Sequence, residues 1–147
     1  MLLFLHEIVP NNTREKATEL IRYANLGIAI ILFLLATQIG FETDWIDTWA
    51  AGNFGGQNAY VLESTPVSLI SSIGVTWHIG IDALSFPMVW LTTLLIPISM
   101  LVQWDAEKGA QFHSLILIME GALVGVFVVL DLFTFYAFWE LTLVPMF

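Results

Sequence analysis

Long apolar runs separated by short polar breaks set the pattern of this chain. Residues 23–41 carry no charge over a length that completes a membrane crossing, which takes about 20 apolar residues. A second run, 82–104, opens on Asp82, Ser85 and Pro87, a combination suited to a helix start, and holds Pro97 deep inside. Pro97 should bend that helix and free the carbonyl of Thr93, with the Thr92 and Thr93 hydroxyls placed to resatisfy the backbone. A third run, 114–130, is interrupted by Glu120, and a fourth, 132–147, by Glu140 and Pro145. Residues 1–9 are apolar but too short to cross, and they read as the end of a helix whose beginning is missing. The pattern predicts an all-α polytopic transmembrane helix bundle of about four spans plus an N-terminal remnant.

Residues 42–78 break the pattern. Glu42, Asp44, Asp47 and Glu63 alternate with Trp45, Trp49, Tyr60 and Trp77, and the run contains no lysine or arginine. This is the composition of an extramembrane loop with aromatic residues at the membrane interface. Ser71 to Ile81 alternates partly like a strand, so a short hairpin over the helices is expected there.

Composition agrees with the membrane reading. Of the 147 residues, 58% are hydrophobic and 12% charged, and mean hydropathy is +0.82, which excludes an ordinary soluble domain. The net charge of −9, of which the loop carries −4, implies no nucleic-acid partner. The absence of cysteine removes disulfides, a thiolate nucleophile and iron–sulfur ligation from this chain. Asn25 and Gln38 lie near the two ends of the first full run, where water or headgroups can satisfy them; His78 and His113 fall at the interfaces with His6 far away in sequence, which does not suggest a metal site. Basic residues fix an orientation: Arg14, Lys16 and Arg22 precede the first full span, and Lys108 lies between the second and third. By the positive-inside rule, 10–22 and 104–113 face the cytoplasm and 42–78 the opposite side.

Two acids inside apolar runs are the candidate chemistry. A carboxylate at the centre of a membrane helix costs about 2.5–3.5 kcal/mol on insertion scales. In residues 114–130, eleven Leu, Ile, Val and Phe residues return roughly −5 kcal/mol, so that helix still inserts. Residues 132–147 have eight such residues, worth roughly −3.6 kcal/mol, and depend on neighbours. Asp131 marks the turn between the two helices, with Glu120 eleven and Glu140 nine residues away. At 1.5 Å per residue both lie about 13–17 Å below that face, at mid-membrane. Gly121 and Gly125 make a G-x-x-x-G step beside Glu120 that admits a close helix. Pro145 leaves the Leu141 carbonyl without its helical donor one residue past Glu140. Low dielectric disfavours a charged carboxylate, and a second carboxylate disfavours it further, so the pair suits proton uptake and release. Asp82 and Asp131 read first as helix-end acids.

Three segments carry a family resemblance: Gly80-Ile81-Asp82-Ala83-Leu84-Ser85; Glu120-Gly121-Ala122-Leu123-Val124-Gly125-Val126-Phe127; and Asp131-Leu132-Phe133-Thr134-Phe135-Tyr136-Ala137-Phe138-Trp139-Glu140 continuing to Leu143-Val144-Pro145-Met146. Together they resemble the antiporter-like subunit M of bacterial respiratory complex I, an NADH-quinone oxidoreductase, the counterpart of mitochondrial chain 4. The resemblance covers residues 75–147 most clearly, with Ala83 where that family commonly has glycine. It implies a larger antiporter-like fold of which this chain is an N-terminal fragment, and proton translocation coupled to quinone reduction in the bacterial inner membrane. It also implies that Glu140 is the proton relay, paired with a lysine on a later helix, and that NADH, flavin, iron–sulfur clusters and quinone sit on partner subunits. Glu120 is then an auxiliary acid. Two other functions stay open: a subunit of a multi-chain sodium/proton antiporter, and a structural subunit in which Glu140 is a protonated hydrogen-bonder.

Overall fold

The computed structural model describes residues 11–52, 60–72, 74–104 and 109–146. The expected remnant at 1–9 lies outside the described residues. Helix α1 (Asn11–Glu42) joins the polar stretch carrying Lys16 and Arg22 to the first apolar run as one rod, of which Lys16–Glu42 is apolar enough to cross a membrane. A short helix α2 (Trp45–Ala50) follows. Helices α3 (Ser85–Val102) and α4 (Gly109–Val128) are the next two apolar helices long enough to cross.

Helix α5 (Leu132–Leu143) has 12 residues, about 18 Å of rise, and gives way to a 3-10 turn over Val144–Met146. The stretch expected as one span over 132–147 is thus α-helical only as far as Leu143. The reason is local, since Pro145 cannot donate to the Leu141 carbonyl and the tighter turn takes over.

The four long helices alternate in direction. At one end Tyr23 of α1 stacks on Trp104, with ring centroids 5.0 Å apart, and Trp104 lies 5.7 Å from the ring of His113. These contacts gather the start of the first crossing, the end of α3 and the start of α4. At the other end Phe86, at the start of α3, packs on Trp45 at 5.1 Å, and a Cβ built at Gly40 would sit 2.6 Å from its ring. Only glycine lets α1 pass so near that ring.

Helices α1, α3 and α4 pack on one another around Ala29, Ile96, Met100 and Ile116, and α5 packs on α4. Large apolar side chains such as Leu34, Leu35, Leu95, Ile98, Leu101 and Ile118 point outward. That is the inverse of a soluble fold and the expected surface of helices in lipid or among other helices. The protein is an integral membrane helix bundle.

Polar residues inside the apolar runs act as cross-links between helices. Asn25 Nδ2 donates to Ser114 Oγ at 2.9 Å, joining α1 to α4, and Trp90 Nε1 donates to Thr37 Oγ1 at 3.1 Å, joining α3 to α1. Asn25, expected to be satisfied by water or headgroups, instead has a partner on another helix. Asn25→Ala and Ser114→Ala are each expected to cost about 1 kcal/mol, and the double variant little more than either. Thermal unfolding in detergent, run as a double-mutant cycle, measures this, and full additivity would show that the bond contributes nothing.

The loop is more ordered than its composition announces. Strands β1 (Tyr60–Glu63), β2 (Val67–Ile70), β3 (Val75–Trp77) and β4 (Gly80–Asp82) form one long antiparallel hairpin, β2 pairing β3 near its tip and β1 pairing β4 near its base. The hairpin expected over Ser71 to Ile81 therefore starts earlier, at Tyr60. Its tip turns at Gly74, where φ is +73° and any side chain would be strained. Between the two halves, Ser64 N–H donates to the Ile79 carbonyl at 2.8 Å, and the Ile79 N–H donates to Ser64 Oγ at 3.0 Å. The hairpin is fastened to the helices by a bridge between Ile79 and Val129 and by the Leu130 N–H donating to the His78 carbonyl at 3.0 Å.

Candidate functional site

Helix α4 carries Glu120 at its centre, and the α1–α3–α4 packing buries the side chain completely. Neither carboxyl oxygen has a hydrogen-bond partner among the described residues. The side chain lines a cavity of about 260 Å³ together with Leu32, Ala36, Val89 and Thr93, in an otherwise apolar wall. Thr93 is 3% exposed, and its hydroxyl donates to backbone oxygens of its own helix, Val89 at 3.1 Å or Trp90 at 3.0 Å. The Thr92 hydroxyl likewise donates to the Met88 carbonyl at 2.8 Å. Both hydroxyls therefore back-bond upstream, and neither reaches the Thr93 carbonyl that Pro97, itself buried in α3, cannot serve. Helix α3 nevertheless continues through Pro97 to Val102.

Glu140 sits on the exposed side of α5. Its neighbours in a shallow outward recess are Ala137, Leu141, Leu143 and Val144, and the Tyr136 side chain, one turn earlier, lies near its carboxyl. The two acids thus lie on adjacent helices but on different faces: Glu120 points into the three-helix core, Glu140 away from it. The Tyr136 contact was legible as an i, i+4 pair within a helix but carried no distinguishing signal among so many aromatics.

The glycine step divides in the same way. A Cβ at Gly125 would overlap the ring of Phe138, so this is where α5 closes on α4. At Gly121 nothing lies within 4 Å. Pro145, expected to sit in the last span, lies instead in the 3-10 turn beyond it.

Asp131 and Asp82 are both helix-end acids. Asp131 is the N-cap of α5; its Oδ2 accepts from the Thr134 N–H at 3.1 Å and from the Thr134 hydroxyl at 3.2 Å. The backbones of Thr76, on the hairpin, and of Phe133 lie near enough to favour its charged form as well. The Thr134 N–H, first among these donors, holds the carboxyl below its ordinary value. A lowered value contributes stability that is present above the unfolded-state pKa and is lost as pH falls through the folded one. Asp131→Asn is therefore expected to flatten the acid limb of a stability–pH profile, and an unchanged limb would show that the cap is not coupled to folding. At the start of α3, Asp82 Oδ1 accepts from the N–H groups of Leu84 and Ser85, while Ser85 Oγ accepts from the Asp82 N–H at 2.9 Å. Aspartate and serine thus cap each other reciprocally.

His113, placed at the interface from sequence, is fully buried, with Nε2 2.9 Å from the Met100 carbonyl. It locks the start of α4 to the end of α3. No group of three or more His, Asp or Glu residues stands within reach of a common metal among the described residues.

No family model matches the chain. Sequence relatives do. F(420)H(2) dehydrogenase subunit M of Methanosarcina mazei is 40% identical over 119 residues, which are 77% of this chain and 24% of that protein. NAD(P)H-quinone oxidoreductase chain 4 1 of a Picosynechococcus is 34% identical over 135 residues, 90% of this chain and 23% of that protein. Chain 4 of a Synechococcus is 31% identical over 145 residues, 98% of this chain and 24% of that protein. The chain spans about a quarter of the length of these curated relatives. It accordingly belongs to the family of the subunit M and chain 4 proteins.

Proposed function

We propose that this chain is part of a proton-translocating membrane subunit of an NADH-quinone-oxidoreductase-type complex, the respiratory complex I of the resemblance. The observation that carries the reading is the likeness, over 98% of the chain, to a protein named as chain 4 of an NAD(P)H-quinone oxidoreductase. The named relatives differ in electron donor, which fits a membrane subunit that leaves the redox groups to its partners. NADH, flavin, iron–sulfur clusters and quinone belong to those partners in this reading.

Glu140 takes up and gives back the proton. Its place on the outer side of α5 lets it meet a lysine from another helix, and Tyr136 holds its carboxyl in position. Glu120 is the auxiliary acid, and Asp131 shapes the turn between them. The chain lies in the bacterial inner membrane, with 10–22 and 104–113 at the cytoplasmic side and the hairpin opposite.

The test is co-purification in mild detergent, with the tag placed on the subunit in its native membrane. Recovery of hydrophilic redox subunits, together with quinone-dependent proton uptake by inverted vesicles, is the expected result. Recovery of antiporter chains alone, with sodium-dependent proton exchange and no redox activity, would replace the proposal with the antiporter reading.

A further inference from the structure

We infer that the cavity between α1, α3 and α4 is a second proton site that binds water, built from Glu120 and the Thr93 hydroxyl. The inference rests on the proton-handling reading and deepens the part given to Glu120, but it stands on a different face of the bundle from Glu140.

Glu120 is completely buried, and both its oxygens lack partners among the described residues. A charged carboxylate in that state is strongly unfavourable, so it must either carry a proton or meet a polar ligand. The cavity beside it measures about 260 Å³, several times the roughly 30 Å³ share of one water in the liquid, and a buried water asks for two to four polar partners. Those partners are on the wall. Thr93 lines the same cavity and is itself buried, and the one proton of its hydroxyl is already given to its own helix, so its oxygen is left to accept.

The remaining wall is apolar: Leu32, Leu35 and Ala36 from α1, Val89 from α3, and Ile81 from β4. Among the described residues lining the cavity, Glu120 is the only titratable group, with no cation to fix it as a carboxylate. It takes a proton from cavity water when charged and returns it to that water when neutral.

Infrared difference spectroscopy on the full-length subunit in its assembled complex, reconstituted in vesicles and stepped in pH, tests this. A carboxylic-acid C=O stretch is expected that disappears in Glu120→Gln, moves to higher frequency in Thr93→Val, shifts on transfer to D₂O, and survives in Glu140→Gln. No band lost in Glu120→Gln, or a band indifferent to D₂O, would overturn the inference, the second because the cavity would be dry. Abolition of the band by sodium ions at constant pH would also overturn it, in favour of a cation site. Should Glu120→Gln fail to assemble, the D₂O and Thr93→Val shifts decide the matter, and their absence counts against it. Normal pumping by Glu140→Gln sinks the function proposed above without touching this band, so the two failures are distinguishable.

Discussion

Glu140→Gln is expected to lower redox-coupled proton translocation by about a hundredfold or more, the order of effect when an essential proton donor and acceptor is removed. Glutamine has nearly the same volume, but it cannot release a proton at any accessible pH. The side chain is on the exposed side of α5 and makes no contact in the α1–α3–α4 core, so assembly should be unaffected. Dye-monitored acidification of inverted vesicles, measured alongside quinone reductase turnover and the amount of assembled complex, separates the two effects. Unimpaired acidification in Glu140→Gln would leave the residue as a packing acid and remove the centre of the functional proposal. Tyr136→Phe, which deletes only the phenol hydroxyl, should give a partial loss, because it frees the carboxyl to rotate without removing its proton.

The second large effect belongs to a glycine. Gly125→Ala is expected to destabilise the bundle by about 1–3 kcal/mol, since a methyl group there must overlap the Phe138 ring and push α5 from α4. Gly121→Ala, one turn away on the same helix, meets nothing within 4 Å and should be neutral or stabilising by up to about 1 kcal/mol through helix propensity. Two substitutions of identical chemistry on one motif should therefore have opposite outcomes in a detergent unfolding assay. Phe138→Leu ought to rescue Gly125→Ala partially by vacating the contact. Equal behaviour of the two glycine variants would mean that α5 does not close on α4 at Gly125.

The contrast between these glycines shows where sequence reading stops. Spacing alone marks Gly121 and Gly125 as a pair, because a helix repeats its faces every three to four residues. Which member meets a neighbour depends on the rotation of α4 against α5, and that is fixed by the Phe138 ring rather than by the motif. The same limit applies to the acids. The expectation of a common depth comes from counting residues away from Asp131 at a constant helical rise. Their separation onto different faces does not, since azimuth is set by packing against α1 and α3. Asn25 and His113 were read as interfacial from their distance to the run ends, yet both face other helices; a polar side chain near a span end can find water or a partner, and only the packed arrangement chooses.

The hairpin was half legible for a related reason. Alternation betrayed Ser71 to Ile81, but Tyr60 to Glu63 lacks a distinctive period and becomes a strand by pairing with Gly80–Asp82, far along the chain. Pairing of that kind is a tertiary event, paid for by contacts the local sequence does not contain.

What the amino-acid order determined by itself was what length and transfer energy govern: that the chain lives in a membrane, and roughly where its apolar helices lie. Hydrophobic transfer is additive along a run, so it can be read one residue at a time. What the tertiary structure alone decided was direction in the plane across the helices: Glu120 inward beside Thr93, Glu140 outward beside Tyr136, Gly125 under a ring and Gly121 open. Those directions follow from how four helices and a hairpin settle against one another, a property of the whole set that no single segment carries.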